Sequence, residues 1–87
     1  MTTDERIAEL LREKLQAQVV DVENESWRHK GHAGALEGAH YRVRVVSVLF
    51  DGKSLVERHR MVYAALETEM KGIHALAIQA ELPEARS

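Results

Sequence analysis

Five histidines and no cysteine set the chemistry open to this 87-residue chain. Three of them, His29, His32 and His40, fall in one glycine-rich stretch, WRHKGHAGALEGAH, covering residues 27–40. The spacing of His29 and His32 is H-x-x-H. On a helix those rings would share a face, but Gly31 and Gly34 make a helix unfavourable there. A loop can still bring both rings to one ion. A zinc site needs three or four ligands, so two loop histidines do not complete one. The same residues, with Arg28 and Lys30, also read as a solvated basic loop. His59 lies between Leu55 and Val62 on the apolar stripe of a helical run. A histidine there is more often a hydrogen-bonded core residue than a ligand. His74 follows Gly72 and has the parity of Leu76 and Ile78, which puts it at the end of a sheet, apolar on one side and open on the other. It is a core histidine or a ligand at the domain's edge.

Other chemistries find little support. Ser47 and Ser54 lack the glycine context of a nucleophile elbow. Gly31, Gly34 and Gly38 do not follow a phosphate-loop or dinucleotide spacing. No thiol nucleophile exists, and the acids face bases or cap helices. The residues argue against an enzyme. Net charge is −2, which opposes bulk attraction to nucleic acid or anionic membranes. Locally the balance differs. Residues 28–60 carry seven bases (Arg28, Lys30, Arg42, Arg44, Lys53, Arg58, Arg60) against three acids (Glu37, Asp51, Glu57), a surplus of four. Lys53, Arg58 and Arg60 are the candidates for contact with nucleic acid.

The elements that must position these residues are legible from periodicity. Ile7, Leu10, Leu11 and Leu15 form one stripe and predict a helix over 2–16. Thr2 and Glu5 have capping-box spacing, and Asp4 and Glu5 suit the helix dipole. Val19–Glu25 and His40–Val48 alternate as strands. Paired antiparallel, they set Arg42 and Arg44 across from Asp21, Glu23 and Glu25, each pair adding about 0.2–1 kcal/mol. Asp51-Gly52 marks a turn. Ser54 and Glu57 open a second helix through a capping box, with Leu55, Val62, Leu66 and Met70 inward, ending at Lys71 and Gly72. Ile73–Leu82 reads as a third strand with His74, Leu76, Ile78, Ala80 and Leu82 on one face, and Pro83 stops it.

The order is α-β-β-α-β in one domain spanning 1–87, with a core over about 5–83 and a polar tail at 84–87. The second helix is a crossover, so the third strand should run parallel to one of the first two. The class is α+β: a three-stranded mixed sheet with helices on one face. At 45% hydrophobic and 30% charged the composition is that of a small globule with a thin core. Apolar runs are too short to span a bilayer. Met1 leads into Thr-Thr-Asp-Glu without the regions of a secretory leader, so the expected location is cytoplasmic.

The order also resembles RNA-binding KH modules, which clamp the backbone with a G-x-x-G loop between helices. Here Gly31-His32-Ala33-Gly34 lies between strands, so the fold analogy survives and the clamp does not. A closer resemblance rests on ordered motifs. Glu57-Arg58-His59-Arg60-Met61-Val62-Tyr63, Ile73-His74-Ala75-Leu76-Ala77-Ile78, and Arg28-His29-Lys30-Gly31-His32-Ala33-Gly34 with His40-Tyr41 and Val46-Ser47 closely resemble the BolA family, over about residues 5–83. That resemblance implies a class II KH-like fold and partnership with a monothiol glutaredoxin. It implies a [2Fe–2S] cluster shared between the two proteins, with thiolates from the glutaredoxin and glutathione and imidazole from this chain. The matching ligand positions are His74 and a loop histidine, His29 by its distance from Asn24-Glu25-Ser26, or His32. Mixed thiolate and imidazole ligation is the Rieske arrangement, in which histidines raise the reduction potential. Imidazole must be neutral to ligate, so binding should weaken below about pH 6.5. Some members of the family are described as DNA-binding regulators of stress response and cell morphology, the alternative function. Weak homodimer formation is a further expectation left open.

Overall fold

The structure is a computed structural model and describes residues 1–25 and 39–84. Helix α1 runs Thr3–Leu15. Its capping box forms in both directions: Glu5 N–H donates to Thr2 Oγ1 (3.1 Å) and Thr2 N–H donates to Glu5 Oε1 (2.8 Å). Gln16 ends the helix in the left-handed region, at φ 50°. Strands β1 (Val19–Asn24) and β2 (Ala39–Val46) pair antiparallel. A short 3-10 turn, Val48–Phe50, follows β2. The chain then reverses through Phe50-Asp51-Gly52-Lys53. Lys53 N–H donates to Phe50 C=O, and Gly52 sits at φ 75°, where a type II turn favours glycine. Helix α2 spans Leu55–Ala65, with its own reciprocal capping box between Ser54 and Glu57. A 3-10 helix, Glu67–Gly72, leads into β3, Ile73–Glu81.

The sheet order is β1-β2-β3, with β3 parallel to β2. This is the mixed three-stranded sheet expected from the element order. Its inner face carries Tyr41, Val43 and Val45, buried under α1 and α2 together with Ile7, Leu11, Phe50, Val62 and Leu66. Its outer face carries the charge. Asp21 stands opposite Arg44 and Glu23 opposite Arg42. Arg44 pairs with Asp21 at 3.4 Å and with Glu81 at 3.1 Å, and Arg42 with Glu25 at 3.2 Å. All are solvent-exposed pairs, worth about 0–1 kcal/mol each. They fix register more than they stabilise.

Two expectations about the second helix need correction. It stops at Ala65, and the chain tightens into a 3-10 turn before Gly72. The apolar stripe nevertheless continues, since Leu66 is fully buried and Met70 packs on the core. Leu55 does not join it and is 64% exposed. That end of α2 is held by polar contacts instead. Arg58 donates from Nε to Lys53 C=O (3.0 Å) and from Nη1 to Ala80 C=O (3.3 Å).

Candidate functional site

The parallel pairing brings the start of β2 beside the start of β3, with Ala39 opposite Ile73. Because β1 is antiparallel, its end at Asn24 lies opposite Tyr41 at the same end of the sheet. The chain therefore leaves the sheet after Asn24 and re-enters at Ala39, both where β3 begins. His29 and His32 fall between these points and lie outside the described residues.

His74 owes its position to a break in the ladder. Ala39 faces Ile73, but the next residue, His40, faces Ala75. One extra residue, His74, is accommodated in β3 as a bulge. The bulge reverses the alternation. Ile73 and Ala80 are buried and the inward Leu76 and Ile78 half-buried, while His74 is exposed. The uninterrupted parity that would have grouped His74 with Leu76 and Ile78 is thus corrected: Leu76 and Ile78 pack inward and His74 does not. It is no core histidine.

His40 is the unexpected neighbour. Its ring centroid lies 5.0 Å from that of His74, with the planes tilted by 48°. The position reads as structural from sequence. Its parity with Arg42 and Arg44 was the available signal, because that parity faces it away from the helices. His59, by contrast, stays apart. It is half-buried and its side chain makes no hydrogen bond among the described residues, so it is not the hydrogen-bonded core histidine expected.

The donor set explains what this end of the sheet can do. Two adjacent imidazoles, one exposed, can supply borderline nitrogen ligands. Among the described residues no group of three or more histidines or carboxylates converges on one point. His74 therefore offers part of a coordination sphere, suited to an ion or cluster whose remaining ligands come from elsewhere, with the His40 ring packed beside it.

Behind His40, Tyr41 turns inward and ties the sheet to α1. Its hydroxyl donates to Asp4 Oδ1 (3.1 Å) and receives Asn24 Nδ2 (3.5 Å). Burial, then the hydrogen bond and negative charge of Asp4, push the phenol up from 10.0 to about 12. Between those values the unfolded chain loses the phenolic proton first. Stability is therefore complete below pH 10 and declines as pH rises towards 12. A thermal unfolding series should show a midpoint falling faster over this window in the native sequence than in Tyr41→Phe. Parallel curves would contradict the assignment.

The basic candidates divide. Lys53 and Arg60 are exposed, but Arg58 has its guanidinium engaged by two backbone carbonyls. The band thus loses its middle member to structure. A cleft of about 710 Å³ lies at the opposite end of the sheet, between Arg44, Val46, Glu81 and Pro83, and no described histidine lines it.

Comparison with known proteins bears on the family and the fold. Residues 11–85 match the family model described as BolA-like protein. BolA-like protein 1 of Homo sapiens is 47% identical over 74 residues, covering 84% of this chain and 53% of that protein. SufE-like protein 1, chloroplastic/mitochondrial, of Arabidopsis thaliana is 44% identical over 85 residues, 90% of this chain and 23% of that one. The chain thus spans about half or less of the length of these curated relatives. Among solved structures, BolA1 from Arabidopsis thaliana superposes with a TM-score of 0.82 at 37% identity, over 95% of this chain and 94% of that one. Sequence motifs, sheet order and superposition agree, and the chain is a member of the BolA-like protein family.

Proposed function

We propose that this chain is a non-enzymatic adaptor that binds a monothiol glutaredoxin and contributes histidine ligands to a bridging [2Fe–2S] cluster, in iron–sulfur trafficking or iron homeostasis. The observation that carries the reading is the exposed His74 on its bulge, at the sheet end where residues 26–38 leave and return. His74 would be one ligand, and His29 or His32 the other. Thiolates would come from the glutaredoxin and from glutathione, which suits a chain with no cysteine. When bound, the cluster would supply electron-accepting or cluster-donating chemistry. This chain's own part is to present imidazole nitrogen from a strand of the sheet and to leave the other positions open. His40, beside His74, is a positioning residue in this scheme, since a ring 5.0 Å away limits the orientations His74 can take.

The test is reconstitution with a monothiol glutaredoxin and glutathione under anaerobic conditions, followed by visible circular dichroism. His74→Ala is expected to alter the cluster spectrum and to shorten the cluster's lifetime by about tenfold or more, the scale seen when metal-site residues are removed. An unaltered spectrum and lifetime would eliminate His74 as a ligand. His29→Ala and His32→Ala, measured separately, assign the loop ligand.

The nucleic-acid reading draws on Lys53 and Arg60 without Arg58. Phosphate contacts would give a steep loss of affinity with salt, and a flat salt dependence would count against it.

A further inference from the structure

Strand β3 has a neighbour on one side only. Ser47 N–H donates to Glu81 C=O, so Glu81 and the alternate residues Gln79 and Ala77 direct their backbone groups at β2. Ala80, Ile78 and Leu76 must direct theirs outward. Arg58 Nη1 takes up the outward carbonyl of Ala80. Among the described residues nothing takes up those of Leu76 and Ile78.

The other sheet edge is defended. Strand β1 carries Asp21 and Glu23, with Glu25 next, and a row of acids discourages addition of a further strand. β3 carries no acid, lysine, arginine or proline from Ile73 to Ala80. Its outer-face residues there, Ala75, Ala77 and Gln79, are exposed and neutral, and Leu76 and Ile78 stay half-buried although they face the helices.

We propose that this edge is an interface with a second copy of the chain, in which the two β3 strands pair antiparallel about a two-fold axis at Ala77. The register follows from which groups point outward. Leu76 of each copy exchanges both backbone hydrogen bonds with Ile78 of the other, and Ala77 faces Ala77. The bulge at His74 and the Arg58–Ala80 contact close the ladder at its two ends, confining it to residues 75–79. Antiparallel pairing also sets the start of one strand, near Lys71, against the end of the other, near Glu81 and Glu84. A second copy fits better than an unrelated strand because the edge is complementary to itself in both hydrogen bonding and charge. Only a few hydrogen bonds and small side chains meet, so the association is weak.

Sedimentation of the full chain from about 10 µM to 1 mM measures it. The native chain is expected to dimerise within that range. Ala77→Lys sets two like charges face to face and should weaken association by roughly fivefold. Mixing Ala77→Lys with Ala77→Glu should restore it. A native chain that stays monomeric to 1 mM, or an Ala77→Lys dimer as tight as the native one, overturns the proposal. Ala77→Cys gives a check independent of those variants, because it would be the only thiol in the chain. A directly facing, non-hydrogen-bonded pair has Cα atoms about 4.5 Å apart, within disulfide reach. Mild oxidation should link Ala77→Cys chains at least tenfold faster than Ala75→Cys chains, whose counterpart faces Gln79. Equal rates overturn the register. The proposal does not rest on the cluster reading, and none of its variants alters a histidine.

Discussion

Replacing Phe50 by alanine is expected to cost about 3–5 kcal/mol of stability, the largest loss from any single truncation among the described residues. Phe50 is fully buried and heads the fully buried side chains by volume. It is also placed by local geometry that leaves no alternative. Its N–H donates to Ser47 C=O at 3.2 Å, and its carbonyl receives Lys53 N–H at 3.0 Å, so the 3-10 turn and the type II turn both pivot on it. The cavity cannot easily close, because α1, β2 and α2 all contribute residues to the same core. An 87-residue domain has about 4–13 kcal/mol in total. Phe50→Ala should therefore be largely unfolded at 37 °C if the native chain sits at the low end of that range. Equilibrium urea unfolding measures the change, and a loss under about 1 kcal/mol would show that the site is not packed as described.

The second large effect is expected at Ser47, the one buried polar residue among those described. Its hydroxyl donates to the carbonyl of Leu15 and accepts from Leu49 N–H at 3.0 Å. The first bond satisfies a carbonyl in the last turn of α1, which has no partner within its own helix. The second caps the 3-10 turn. Ser47→Ala removes both while leaving the Leu15 carbonyl buried, so a loss of about 1–3 kcal/mol is expected. Ser54→Ala is the reference. It removes a cap of the same type on an exposed helix start, and about 1 kcal/mol is expected there. Chemical denaturation of both variants should rank Ser47 above Ser54, and the reverse order would deny the buried network its role. Ser47 caps the 3-10 turn that carries Phe50 into the core, so their double variant should not be additive.

Much of this architecture was legible in the amino-acid order because local signals agreed with tertiary ones. Thr2 with Glu5, and Ser54 with Glu57, announce helix starts that the structure forms bond for bond. Arg42 and Arg44 alternate with valines and find acids across the strand. Three features were not legible. The 3-10 segments have no distinct periodicity: Val62, Leu66 and Met70 lie inward whether the chain keeps 3.6 residues per turn or tightens after Ala65. Leu55 satisfies the stripe by spacing, but Arg58 fixes that end of α2 by polar contacts and Leu55 stays outside. The bulge leaves no mark in composition, because it is a relation between two strands, and only the pairing of Ala39 with Ile73 and of His40 with Ala75 reveals it. At the candidate site this mattered most. His74 is identifiable from the sequence as a residue of interest, but the bulge reverses the parity that its spacing predicts.

Ser47 lacks the glycine context of a nucleophile, and a purely chemical reading of the sequence gives it no further role. The structure gives it a different duty, joining α1 to the turn after β2 across 32 residues of sequence. In this chain Val46-Ser47 is a packing element.

The bulge separates two reading frames along β3. One frame, Leu76, Ile78 and Ala80, is committed to the core, and a one-residue slip anywhere within it would turn apolar side chains to water. The other holds a single residue that the ladder skips. His74 is in effect an insertion tolerated by the sheet, and its identity is uncoupled from the hydrophobic alternation on either side. Residues at that one position can be exchanged without renegotiating the packing of the domain. Selection on that position and selection for a stable fold can therefore act on neighbouring residues without opposing one another.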